Sequence, residues 1–525
     1  MKRRNFLKSI PYTFIPTMVG GSVVQAIANN PFLDALAAPF VDTDHILVLI
    51  LLEGGNDGLN TVIGLDQYSG YTAVRSNIYI PESKVLKLNG YDKTGLHPAM
   101  TGIQNLFNEG KVKIIQGVGY PNPVFSHFRS KDIWYTGSDS NVVINSGWNG
   151  RYLQNEYPNY PVGFPNATMP DPLAIQVGNG ALYQNLQVNG VTFGMPTNNP
   201  NSIYTNLNTT DTAPNTKAGK ELNYLRETAQ KTNDYTTKIS NAATKSGVTI
   251  PNTMNSIDKD LQTVAALIAG GLKTRIYMVS LGGYDTHRGQ VVAGATETGT
   301  HADKLSNVSI AISNFMTTLK SKGVGDRVVG MTFSDFGRRI KSNGSGGTDH
   351  GAAAPMFLFG NQVVGGILGG NPTISPNATV EDNIPYQYDF RSVYSSLMKH
   401  WFCLPQNEVD TIMFKNFQDL NLVKDSCTTT DTHELNKLAG DSLVTCYPNP
   451  FVHSTTIKYV SNGGYCMIEI IDNQGRVIKK LLAKDTPEGI YELDCDLEGY
   501  SSGIYYVRFQ NGALQQVKSM VKVRG

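Results

Sequence analysis

The sequence predicts an α/β body, a doubly wound sheet with helices on both faces, followed by a small all-β sandwich at the C-terminal end. Three observations carry this expectation. Residues 46–52 (ILVLILL) form an unbroken apolar run of strand length, the pattern of a central strand buried on both faces of a parallel sheet. Strand-like and helix-like stretches then alternate along the chain, as βα units do. From Cys446 onward the pattern changes to short alternating runs separated by Gly, Asn and Asp, as in antiparallel strands joined by turns.

Taken in chain order, residues 98–109 read as a helix and Lys113–Val118 as a strand. Ile257–Ala269 read as a helix leading into the strand 275–281 (RIYMVSL). Ala302–Lys322 read as a long amphipathic helix, followed by the strands 327–334 (RVVGMTFS) and 356–360 (MFLFG). Residues 151–255 are rich in Asn, Thr and Pro, with one polar helical stretch near 219–245. They read as an insertion or cap over one end of the sheet. Residues 426–441 (SCTTTDTHELNKLAGD) read as a linker between a body at 45–425 and a C-terminal domain at 442–525.

Composition sets bounds on function. Lys plus Arg is 44 and Asp plus Glu is 43, so a formal net charge of +1 gives no field that favours nucleic acid. After the N-terminus no apolar run approaches 20 residues, so no transmembrane segment is expected in the mature protein. The five cysteines (Cys403, Cys427, Cys446, Cys466, Cys495) all lie beyond residue 400, and none forms a C-x-x-C pair. A thiolate zinc site is therefore not expected. Buried thiols, with room for one disulfide in an oxidising compartment, are.

In open α/β sheets ligands sit beyond the carboxyl ends of the strands, and the chemistry-bearing residues fall there. Strand 46–52 is followed by Gly54, Gly55, Asn56 and Asp57. Strand 113–118 is followed by Ser126, His127 and Arg129. Strand 275–281 is followed by Asp285 and His287. Strand 327–333 is followed by Asp335, Arg338 and Arg339, then by Asp349 and His350. A D-x-H pair puts two donors on one side of an extended segment, which suits a divalent metal. Each group also has an ordinary reading: Ser126 as a helix N-cap, Arg338-Arg339 as a surface pair, the glycines around Asp349-His350 as turn residues. His400, in the apolar run SLMKHWF, reads as a core or interface histidine.

The segments LEGGNDGLNT, LHPAM, IIQGVGYPNPVFSHFRSKDIW, GWNGRYL, VSLGGYDTHRGQ, DRVVGMTFSDFGRR and SGGTDHGAAAPMFLFG together resemble the bacterial family called domain of unknown function 1501. That family is grouped with the alkaline phosphatase and sulfatase superfamily. The resemblance implies a hydroxyl or thiol nucleophile and one or two divalent ions (zinc, calcium, magnesium or manganese). It implies Ser126 as nucleophile and Asp57, Asp349 and His350 around one metal, with Asp285 and His287 for another. Two features depart from the superfamily. Its last Asp and His are spaced more widely than D-x-H, and it places a further His after D-H-G, where only His400 remains. His127 or His301 would complete a second site, or a single metal binds. Arg338 or Arg129 would hold an anionic ester group as a planar fork. Two readings stay open: a metal-dependent hydrolase of phosphate or sulfate esters, and a non-catalytic binding or structural surface protein on the same fold.

Both ends read as addresses. Residues 1–37 have the anatomy of a signal peptide: Lys2, Arg3 and Arg4, a mildly apolar stretch, then small residues at Ala26-Ile27-Ala28 and Ala35-Leu36-Ala37. Arg3-Arg4-Asn5-Phe6-Leu7-Lys8 resembles the twin-arginine signal, with Lys2 where Ser or Thr is usual. Tyr447-Pro448-Asn449-Pro450-Phe451, Asn473-Gln474-Gly475-Arg476-Val477, Ser502-Gly503-Ile504-Tyr505-Tyr506 and the basic-apolar end Lys518–Val523 resemble the C-terminal sorting domain of type IX secretion substrates. The resemblance implies export machinery at the inner membrane, a type IX translocon as partner, and delivery through the periplasm to the cell surface or medium.

Overall fold

The computed structural model describes residues 17–19, 22–24, 43–178, 183–200, 216, 233–424, 427, 444–472, 475–511 and 514–523. Most of the expected signal segment, the expected linker apart from Cys427, and residues 219–232 of the polar stretch lie outside the described residues. The described chain forms two compact units, a body ending at Cys427 and a C-terminal unit beginning at Val444.

The body is built on a nine-stranded sheet. Its strands are β1 (Ile46–Glu53), β2 (Val112–Gly119), β3 (Ala174–Val177), β4 (Gly194–Thr197), β5 (Ile276–Gly282), β6 (Val328–Ser334), β7 (Ala354–Phe359), β8 (Gly366–Leu368) and β9 (Tyr388–Asp389). Their order across the sheet is β4-β3-β5-β1-β6-β7-β2-β8, with β9 also on β2. Every pairing is parallel except those of β7, which runs antiparallel to β6 and β2.

The central strand β1 explains the layering. Its alternate side chains enter two separate cores, which is why its sequence is apolar throughout. Leu47, Leu49 and Leu51 pack with α2 (His127–Thr136), α3 (Trp148–Glu156), α6 (Phe390–His400) and α7 (Gln406–Met413). Ile46, Val48, Ile50 and Leu52 pack with α1 (Thr101–Asn108), α4 (Ser256–Ala269) and α5 (Thr300–Ser321). Burying each of these side chains contributes about 1.5–3 kcal/mol before the entropy of ordering is set against it. Helices thus cover both faces, as the sequence led one to expect.

Of residues 151–255, expected as an insertion or cap, the described part adds to the sheet itself. They supply α3 and the strands β3 and β4, which extend the sheet itself at one edge. These strands are four residues long and are recruited by backbone pairing, so they leave no periodic signature. Pro196 lies in β4, the outermost strand, where a missing N–H is tolerated. A disulfide between Cys403 and Cys427 ties the last residue of the body to the turn after α6.

The C-terminal unit is all antiparallel. One sheet holds β10 (Val444–Tyr447), β11 (Ser454–Asn462) and β14 (Glu488–Asp496). The other has the order β13-β12-β15-β16, formed by Val477–Asp485, Tyr465–Ile471, Gly503–Asn511 and Leu514–Lys522. Phe451, Ile457, Tyr459, Ile468, Val507, Phe509 and Met520 form its core. Its three cysteines are free thiols. Burial pushes Cys446 up to about 12 and Cys495 up to about 11, which keeps both protonated and unreactive.

One packing detail on the sheet is directly testable. Gly330 of β6 lies opposite Phe359 of β7, and a Cβ on Gly330 would sit 2.0–2.6 Å from three atoms of that ring. Gly330→Ala is expected to lower stability by about 1–3 kcal/mol through overpacking. Adding Phe359→Leu should recover part of that loss. A purely additive double variant in urea unfolding would mean the two residues do not meet.

Candidate metal centre

The carboxyl ends of β1, β2, β5 and β6 lie along one edge of the sheet, because these strands are parallel. Since β7 is antiparallel, its start lies at that same edge, and the loop entering it brings Asp349 and His350 there. Four sequence-distant segments therefore converge. Their backbones approach closely through glycine: a Cβ on Gly54 (φ +118°) would lie 2.4 Å from the Asp285 amide nitrogen.

The centre of the cluster is the Asp285 carboxylate. His350 Nε2 and His287 Nε2 each lie 3.2 Å from its Oδ1, and His127 Nε2 lies 3.5 Å from its Oδ2. One donor atom from each of His127, Asp285 and His350 falls within 4.8 Å of the others. His287 Nε2 and His350 Nε2 are 2.9 Å apart.

Every imidazole is oriented by a partner on its other nitrogen. His127 Nδ1 meets buried Asp335 Oδ2 at 2.7 Å, His287 Nδ1 meets Asp349 Oδ1 at 2.8 Å, and His350 Nδ1 donates to the Phe125 carbonyl at 2.8 Å. With Nδ1 donating, the Nε2 lone pairs face inward, as in histidines held for metal ligation. Two facing lone pairs at 2.9 Å repel unless a proton or a cation lies between them. Among the described residues, buried His127 Nε2 has no hydrogen-bond partner. The donor set thus fits a divalent cation.

The electrostatics follow from these contacts. The bond to Asp335 holds His127 above the ordinary histidine range. Burial lowers His350. Burial alone would raise Asp285, but the hydrogen bond and charge of Arg338 outweigh it and keep the carboxyl ionised. Burial would likewise raise Asp349, and the bonds from His287 and Asn343 lower it.

Among the residues expected from sequence, His127, Asp285, His287, Asp349 and His350 come together. Ser126 is exposed at the N-cap of α2, immediately before His127, and its hydroxyl makes no capping bond. Three others, Asp57, His301 and Arg129, do not join the cluster, and Arg338 touches it only through Asp285. Asp57 is fully buried, with Arg75 Nη1 at 2.7 Å and Gln290 Nε2 at 2.6 Å from its Oδ2, so its charge is already matched inside the fold. His301 is buried against Asn56, and desolvation lowers it to about 4. Arg338 is fully buried and donates to the carbonyls of Gly54, Gly55, Tyr284 and Thr348 and to Asp285. Arg129 is spent on the carbonyls of Asp139, Ser140 and Val142. Neither arginine is an open fork for an anion. His400, expected as a core or interface histidine, is half-buried and pairs with Asp419 at 2.7 Å.

Asp335 was named with the other residues after β6, but without a role, because that role depends on its side chain turning inward to His127. Sequence reading missed two further supporting groups. Asn343 donates to Asp349 Oδ1 and the His287 carbonyl at 3.1 and 2.8 Å. Arg75, the counter-ion of Asp57, carried no signal in the sequence.

Comparison with known proteins follows the same outline. Residues 118–390 match the family model described as protein of unknown function (DUF1501). Residues 445–523 match the secretion system C-terminal sorting domain, which marks proteins exported to the cell surface or extracellular space. No curated protein matches this chain. The solved structures it resembles include the lipoteichoic acid synthase LtaP from Listeria monocytogenes, at 11% identity over 74% of this chain and 78% of that one, with a TM-score of 0.32. A protein in the alkaline phosphatase superfamily from Vibrio parahaemolyticus is 8% identical over 87% and 82%, with a TM-score of 0.32. PorZ from Porphyromonas gingivalis, a surface component of the type IX secretion system, is 20% identical over 20% of this chain, with a TM-score of 0.13. This chain spans 14% of that protein. The fold class stands on the sheet order and strand directions described above. Among the described residues, no helix is long and apolar enough to cross a membrane.

The Asp57–Arg75 pair has a measurable consequence. Arg75→Met should cost about 3–5 kcal/mol in urea unfolding, because it leaves a buried carboxylate without its counter-ion. The double variant with Asp57→Asn should recover most of that. Burial would raise the Asp57 pKa, but Arg75 wins and lowers it. The wild-type contribution is therefore complete above the ordinary carboxylate value of about 4 and fades as pH falls through the lower folded value. The double variant should lose this acid-sensitive component.

Proposed function

The chain belongs to the DUF1501 family, and from that premise we propose that it is an exported, metal-dependent hydrolase of phosphate or sulfate esters. The observation that carries the reading is the convergence of three imidazole Nε2 atoms on the Asp285 carboxylate, each ring set by a separate acceptor. His127, Asp285, His287 and His350 would hold the cation, with Asp349 and Asp335 fixing two of the rings. Nitrogen ligands favour zinc or manganese over calcium. A bound divalent ion there would neutralise the nonbridging oxygens of an ester and lower the pKa of a bound hydroxyl.

Ser126 supplies the nucleophile in this reading. It follows β2, it is exposed, and its hydroxyl is not consumed as a cap. The free N–H groups at the start of α2, a helix of 10 residues, favour negative charge beside it. The Ser126 oxygen would attack the phosphorus or sulfur, displacing the alcohol. Water would then release the acid and restore the serine.

A second reading, a non-catalytic surface protein with a structural metal, is favoured by one observation. Arg338 and Arg129, the two expected anion holders, are both committed to the scaffold. One set of variants separates the readings. Purified protein is expected to bind at least one divalent ion. Asp285→Asn should lower both metal content and melting temperature, since an ion that binds only the folded state stabilises it by mass action. Ser126→Ala should keep metal content and melting temperature while abolishing turnover in a screen of phosphate and sulfate esters. A metal-free wild type indifferent to chelator would remove the centre. Metal binding with no ester turned over by the wild type would leave the surface-protein reading.

The N-terminal segment is proposed as a twin-arginine signal, motivated by Arg3-Arg4-Asn5-Phe6-Leu7-Lys8. Replacing Arg3 and Arg4 with Lys should stop export, measured as protein retained in the cytoplasm. Unchanged export would point to the general secretory route.

A further inference from the structure

The last strand of the C-terminal unit, β16, is an edge strand: its inner side pairs with β15 along nine residues, from Gly503↔Lys522 to Asn511↔Leu514. An edge strand exposes a row of backbone groups that can slip or pair elsewhere. Here the final half of that row is taken up by the segment Asn449–Phe451. The Asn449 side chain donates from Nδ2 to the Ser519 carbonyl at 3.1 Å and accepts from the Val521 N–H at 2.7 Å. Next to it, the Phe451 N–H donates to the Val521 carbonyl at 2.9 Å, and the Val523 N–H donates to the Phe451 carbonyl at 2.8 Å. The Phe451 ring is buried in the core, and Thr455 Oγ1 holds the Pro448 carbonyl at 2.6 Å from the other side.

A carboxamide is suited to this place for a stated reason. It offers one donor and one acceptor on the same plane, as a peptide unit does, so it can satisfy a carbonyl and an N–H two residues apart on one strand edge. A slip of β16 by one residue would turn both groups away and exchange its buried and outward faces, taking Met520 out of the core.

We propose that Asn449 is the positioning residue of the C-terminal strand: its amide fixes the register of β16 from the outer edge, and export depends on that fixation. The proposal rests on the sorting-domain assignment and adds to it which residue makes the terminal strand readable. The YPNPF segment and the basic-apolar end, 70 residues apart in the chain, are then two halves of one structural device.

The test uses the full-length protein in cells that export it, with hydrogen exchange measured on the purified chain. Asn449→Ala should speed exchange of the terminal peptide 514–525 by about tenfold or more while peptides from β11 and β14 stay protected. The fraction reaching the surface or medium should fall with it. Asn449→Asp keeps the acceptor for Val521 and loses the donor to Ser519, so it should fall between wild type and Asn449→Ala in both readouts. Val507→Ala, which loosens the sheet core without touching the clip, should export normally while the domain remains folded. If Asn449→Ala exposes β11 and β14 as well, the Asn449→Asp variant decides. A terminal peptide as protected as in wild type, or one released with export unchanged, overturns the proposal. Deletion of residues 442–525 without loss of export would instead remove the sorting assignment itself.

Discussion

The candidate centre depends on one buried cation that touches it at a single carboxylate. The Arg338 guanidinium, with no exposed side-chain surface, donates to carbonyls on the loop after β1, the loop after β5 and the segment before β7, and to the Asp285 carboxylate. A buried guanidinium is tolerated only when its five donors are used, and here the used donors are what hold three loops together. Those loops carry Asp285, His287, Asp349 and His350. Gly54 and Gly55, both at positive φ, let the backbones come close enough for one side chain to reach them all. The arrangement explains why an arginine at a strand end is structural in this chain although arginines in such places often bind anions.

The acidic residues divide in the same way between scaffold and centre. Asp57 is fully buried and closed off by Arg75 and Gln290. Asp335 is also buried, but its partner is His127, so its charge reaches the cluster through an imidazole. Asp285 and Asp349 are half-exposed and meet the other two rings directly. The centre is therefore made from the loops after β5 and before β7 and from the start of α2. The loop after β1 contributes backbone carbonyls in place of the carboxylate that superfamily likeness implied.

Legibility in the sequence tracked the strength of the local physical signal. The continuous apolar run of β1 and the long amphipathic helix α5 are dictated by burial, and both were readable. The strands β3 and β4 were not, because four-residue strands inside an Asn-rich and Pro-rich stretch are selected by pairing with a formed sheet. Asp285, His287, Asp349 and His350 were readable as a group, since their position at strand ends follows from topology alone. The roles of Arg338, Asp57 and Asp335 were not. Each turns on whether a side chain points into the scaffold or the cleft, and the sequence of a loop does not encode that direction by any period. His400 shows the same limit on a helix: an apolar neighbourhood suggested burial, while its place in the last turn of α6 leaves it free to pair with Asp419.

In the proposed hydrolase, the charge balance at the cluster would link ester binding to metal binding more tightly than an arginine clamp would. Asp285, Asp335 and Asp349 surround the three rings, and the guanidinium of Arg338, bonded to the group, is already engaged by Asp285 and by carbonyls. An anionic ester approaching the metal-free cluster would meet the Asp285 and Asp349 carboxylates, which their hydrogen bonds keep ionised. A divalent cation seated among the Nε2 atoms would supply the missing positive charge at the point where the ring nitrogens converge. In such a site, occupancy by the cation and affinity for the anion are two aspects of one equilibrium, since each ligand lowers the electrostatic cost of the other. Inorganic phosphate or sulfate should therefore strengthen retention of the ion, and chelation should release both. The proposed coupling would be a property of the binding site alone, independent of whether Ser126 performs chemistry on what is bound.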